Sequence, residues 1–147
     1  MANPGPAVTN STHPSNVTTS QSLRLIATLK NVNANAIASY PMQVNNSSVF
    51  LPQSLIVTNL NNAGANVTAT GLALGVATTS GGSSLYGAIT ASQLSTAVGV
   101  SLVAPSAQTT ATTVQNLYLN VTAPLTTAVA GATFDVYVYG YDFSVSS

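Results

Sequence analysis

Residues 133 to 143, TFDVYVYGYDF, alternate with period two: Phe134, Val136 and Val138 fall between Asp135, Tyr137, Tyr139 and Tyr141. A strand sends successive side chains to opposite faces, so this segment predicts a strand with one aliphatic face and one tyrosine face. The same period recurs along the chain. SLRLIATLK places Leu23, Leu25, Ala27 and Leu29 on one face, with Arg24, Ile26, Thr28 and Lys30 on the other. SLIVTNL (54–60) reads as a β-branched strand, and NNAGA (61–65) as a hairpin loop with Gly64 at its tight position. NVTATGLALGVATT sets Leu72, Leu74 and Val76 against the small residues Ala69, Gly71, Ala73 and Gly75, a face that another layer can approach closely. VSLVA (100–104) is a strand stopped by Pro105, and TVQNLYLNVTA turns Leu117, Leu119 and Val121 inward with Tyr118 and Asn120 outward.

Breaks in the pattern fall at turn-forming residues. Asn31, Asn33 and Asn35 mark a turn, NNSS (45–48) and SGGSS (80–84) mark two more, and Pro41 favours an edge strand. One segment has helical character: in ITASQLSTAV (89–98) Thr90 and Gln93 fit a capping box, and Leu94 and Val98 share a face. Residues 1–21 hold Pro4, Pro6 and Pro14 among Asn, Ser and Thr, which predicts an extended N-terminal arm. Such an arm is either a loose terminus or a segment that orders along a neighbouring subunit. The expectation is a single all-β domain over 22–147, a jelly-roll-like β-sandwich of about eight strands with one short helix.

Composition narrows the function. Of 147 residues only 3% are charged, namely Arg24, Lys30, Asp135 and Asp142, and the net charge is zero. An average soluble protein carries roughly 25%. Binding to nucleic acid needs several Lys or Arg on one surface, so no nucleic-acid partner is expected. The chain lacks cysteine, so it offers neither disulfide nor thiolate metal site. Its start has no basic stretch followed by an apolar run, and no segment reaches the roughly 18 apolar residues of a membrane helix, so neither a leader nor a membrane partner is expected.

Catalytic chemistry lacks its parts. His13 stands alone in the arm, where nothing preorganises it beside a nucleophile. Asp135 and Asp142 are seven positions apart, which puts them on opposite faces of an uninterrupted strand and against a carboxylate pair. The reading is a non-enzyme without cofactor, with calcium on Asn and backbone carbonyls left open. Asn10, Asn16, Asn45, Asn46, Asn66 and Asn120 each begin an N-x-S/T triplet. In a chain this rich in Asn, Ser and Thr, chance accounts for such triplets better than glycosylation does.

Tyr118, Tyr137, Tyr139 and Tyr141 then form an outward aromatic set on two successive strands. Three readings compete: a second packed layer of the same chain, a carbohydrate platform, or a protein–protein interface. Tyrosine buries a large apolar area and keeps a hydroxyl for a partner, which suits the last. Arg24 and Asp135 are candidates to pair, within a chain or between chains, and so to orient the contact.

The order of elements from SLIVTNLNNAGANVTATGLALGV through ITASQLSTA to NLYLNVTAPLTTAVAGATFDVYVYGYD resembles the small β-rich accessory proteins of tailed-bacteriophage virions, the head decoration or cement class. The resemblance covers about residues 54–143 and is compositional; it transfers no residue set. It implies a structural protein on the capsid exterior of a virion, with the major capsid protein and its own copies as partners, a homotrimer being favoured. The alternative is a fibre-tip or extracellular β-sandwich that recognises glycans.

Overall fold

The computed structural model describes residues 23–44, 49–85, 89–94, 100–103, 112–113 and 116–142. The expected arm, His13 and the triplets at Asn10, Asn16, Asn45 and Asn46 lie outside them. The described residues form ten strands in chain order: β1 (Leu23–Asn33), β2 (Ala38–Gln43), β3 (Val49–Asn62), β4 (Ala65–Asn66), β5 (Ala73–Ala77), β6 (Ile89–Thr90), β7 (Val100–Val103), β8 (Thr112–Thr113), β9 (Asn116–Ala123) and β10 (Thr133–Asp142). The first sheet runs β1-β10-β3-β4, with β7 and β8 also paired to β3; the second runs β2-β9-β5-β6. Among the described residues all pairings are antiparallel, and the outer strands of the chain nest, β1 pairing with β10 and β2 with β9. Two antiparallel sheets packed face to face make the all-β sandwich expected from the strand spacing.

The core forms where the two inner faces meet. Phe134, Val136 and Val138 of β10 are fully buried against Leu117, Leu119 and Val121 of β9, Leu74 and Val76 of β5, and Met42 of β2. Burying a Leu, Val or Phe side chain is worth roughly 1.5–3 kcal/mol, so this alternation fixes the register of both sheets. β2 is an edge strand, as Pro41 predicts, since a missing N–H costs nothing on the unpaired side. The β3–β4 hairpin turns at Ala63 (φ 48) and Gly64 (φ 89), two successive positive-φ residues of the kind that match strand twist.

The structure departs from the sequence reading in four places. In β1 the expected alternation fails at Ile26: Leu25 stands opposite Tyr139 but Ala27 opposite Val138, so Ile26 is an extra residue. The bulge buries Ile26 and Ala27 consecutively and turns Leu23 and Leu25 outward, the reverse of the expected face. A second irregularity sets Lys30 and Asn31 against Asp135, and β1 therefore runs on through Asn33. The segment expected as a helix is instead the two-residue strand β6 and a single 3₁₀ turn, Ala91–Gln93. Thr90 N–H does donate to Gln93 Oε1 (3.0 Å), but Leu94 is already extended (φ −99, ψ 110), so the capped turn does not propagate. Finally, β5 begins only at Ala73, because Gly71 (φ +82) makes a turn that seats Thr126 where a side chain would stand.

Candidate functional site: the tyrosine face

Residues directly opposite in antiparallel strands share a face. On β10, Tyr141, Tyr139 and Tyr137 stand beside Leu23, Leu25 and Thr28 of β1. On the other side they stand beside Leu51, Ser54 and Ile56 of β3. These nine positions form three rows of three with no charged residue among them. The tyrosines, Leu51 and Ile56 are half-buried, while Leu23 is 53% and Leu25 37% exposed. The two leucines reach this face only through the bulge at Ile26, a residue the alternating reading could not single out.

Asp135 closes the lower end of the tyrosine row. It is 9% exposed, and its Oδ1 accepts a hydrogen bond from Asn31 N–H at 2.9 Å. Asn31 has φ 57, the left-handed conformation that asparagine tolerates, which turns the amide of the bulge toward the carboxylate. The role visible for Asp135 is thus to fix a bulge. The expected pairing with Arg24 within one chain does not form: Arg24 stands opposite Gly140, five residues along β10 from Asp135, roughly 17 Å away and beyond the reach of the two side chains. Arg24 alternates away from the tyrosine face.

Tyr118 does not join the other tyrosines. β9 belongs to the second sheet, and Tyr118 sits on that sheet's outer face, between Pro41 and Ala77, on the opposite side of the sandwich. Succession in the chain does not make these strands neighbours: β9 and β10 are in different sheets.

The outer face around Tyr118 is covered by the chain's own loop 78–85. Asn120, 5% exposed, accepts from Gly81 N–H (3.0 Å) and Ser39 Oγ (2.6 Å) through Oδ1, and its Nδ2 donates to Gly82 O (3.4 Å). Val76 N–H donates to Ser84 Oγ (3.3 Å), and Leu85 N–H to Val76 O (2.7 Å). Gly75 makes the approach possible, since a Cβ there would lie 2.6 Å from Ser84 Cβ. The close approach expected at the small-residue face is made by this loop. Asn120 is accordingly a buried structural amide, whereas Asn66 of the same triplet type is exposed.

Among the described residues no three His, Cys, Asp or Glu side chains cluster as metal ligands, and no helix is long and apolar enough to cross a membrane. Compared with known proteins, the chain matches no family model, no curated protein and no solved structure.

Proposed function

We propose that this protein is a structural component of a virus particle that binds the outer capsid surface as a homo-oligomer, trimeric by preference, without catalysis. The observation that carries the reading is the uncharged three-by-three face of the first sheet, with Leu23 and Leu25 exposed beside Tyr139 and Tyr141. A patch of that kind on a chain of zero net charge has nothing to oppose association. The hydroxyls of its tyrosines can meet carbonyls of a partner while the rings are buried. Jelly rolls build viral capsid proteins and lectins alike, so the fold supports the reading only by analogy.

The test is the ratio at which the chain travels with particles. Density-purified virions that contain this chain should hold it at a fixed stoichiometry to the major capsid protein, and light scattering of the isolated chain should give an integral oligomer mass. A monomer that is absent from purified virions and is retained on immobilised glycans through its tyrosine face would replace this reading with glycan recognition.

A further inference from the structure

At the other end of the sandwich, eight residues along β10 from Tyr141 and roughly 27 Å away, the β3–β4 hairpin, the β4–β5 segment and the β9–β10 loop line an open cavity of about 560 Å³. Its volume lies in the range of small-molecule sites, roughly 300–1,000 Å³. Six of its lining residues are neutral and polar: Asn62, Asn66, Thr68, Thr70, Thr126 and Thr127. Ala65, Val67 and Val129 supply apolar wall, and among the described residues no ionisable group lines it.

We propose that this cavity binds a neutral polyhydroxylated ligand, a sugar unit of a glycan. An amide offers both donors and an acceptor, and a threonine hydroxyl offers one of each, which is the complement a sugar hydroxyl requires. A phosphate or carboxylate would find no cation here, and an ammonium group no carboxylate.

The walls are held in place before any ligand arrives. Asn35 clamps the β9–β10 loop from 94 residues away: Val129 N–H donates to its Oδ1 (3.0 Å) and its Nδ2 donates to Val129 O (2.8 Å). Thr126 N–H donates to Thr70 O (2.9 Å), tying the β9–β10 loop to the β4–β5 segment, and Val67 N–H donates to Leu60 O (3.0 Å). Gly71 lies flush against Thr126, so the junction has no slack. Loops pinned to a rigid sandwich in this way are where binding sites are built.

The proposal is independent of the capsid reading, because the cavity and the tyrosine face share no residue. Its test is a titration of the full chain, followed by amide chemical shifts, with methyl glucoside, methyl galactoside, methyl mannoside and N-acetylglucosamine, and with glucuronate and glucosamine as charged controls. At least one neutral sugar should move the amides of 62–70 and 126–129, saturably, at millimolar concentrations. The double variant Asn66→Ala/Thr127→Ala, at two exposed positions, should weaken that sugar about tenfold or more while leaving self-association unchanged. No shift from any neutral sugar would overturn the proposal. So would shifts confined to Tyr137, Tyr139 and their neighbours, or equal binding of glucuronate and glucosamine.

Discussion

Both outer faces of this sandwich start from the same difficulty, since a chain with 3% charged residues cannot clothe them in Lys and Glu. The second sheet answers it with small residues and a covering segment: Gly75 and Ala77 lie under loop 78–85, and Asn120 satisfies the loop's backbone. The first sheet answers with large side chains, leaving Leu23 and Leu25 exposed beside the tyrosines. A face closed from within needs side chains that vanish beneath the cover. A face to be closed by another chain needs side chains that project. The contrast between Gly75 and Tyr139 is therefore the difference between intramolecular and intermolecular burial, and it can be probed one face at a time.

The largest effect should come from Gly75→Val. Its Cβ would stand 2.6 Å from Ser84 Cβ, so the covering loop must lift or β5 must shift. Overpacking of this kind costs about 3 kcal/mol, a fall in Tm of roughly 6–12 °C for a domain of this size. Amide exchange in 79–85 should accelerate, while association measured below the melting range stays as in the wild type. A variant of unchanged Tm and unchanged loop protection would mean that the loop does not seal this face.

Next in size is Tyr139→Ala on the open face. Removing a tyrosine from an interface centre commonly costs on the order of 1–3 kcal/mol of binding, so oligomer or capsid affinity should drop tenfold or more. The folded chain loses only its cross-strand contacts with Leu25 and Ser54, worth about 0.2–1 kcal/mol, so Tm should move by no more than roughly 4 °C. Calorimetry beside sedimentation separates the two. A large fall in Tm with affinity intact would assign the tyrosines to the chain's own packing and break the comparison between the faces.

How far the residues themselves announced this arrangement depends on how local each feature is. The inward sets of β9 and β10 were legible because strict alternation over several residues leaves one way to bury Leu117, Leu119 and Val121 or Phe134, Val136 and Val138. The turn at Gly64, the edge position of Pro41 and the close approach at Gly75 were legible because each residue has a backbone or steric property that few positions use. The bulge at Ile26 was hidden: in LRLIATL both registers place apolar residues inward, and only the pairing with β10 chooses between them. The side on which Tyr118 falls was hidden too, since it depends on which sheet β9 joins. The Asn35–Val129 clamp, which shapes the cavity, is a contact between residues 94 apart, and an asparagine in a turn gives no sign of a distant partner.

The smallest expected effect is the one that fixes the direction of the interface. Tyr118 lies half-buried on the second sheet, flanked by Pro41 and Ala77, with the whole sandwich between it and Tyr139. Tyr118→Ala removes a ring of the same size and hydroxyl chemistry from the wrong side. Its loss should cost about 1 kcal/mol of stability through cross-strand contacts and change oligomer or capsid affinity by less than about 0.5 kcal/mol, little more than twofold. Measured beside Tyr139→Ala in the same sedimentation series, it holds ring chemistry constant and varies only the face. If the two variants weaken assembly equally, tyrosine content matters and position does not, and the first sheet's outer face loses its claim to be the contact. If only Tyr139→Ala weakens it, the partner sits over β1, β10 and β3, where the bulge at Ile26 delivers Leu23 and Leu25 to meet it.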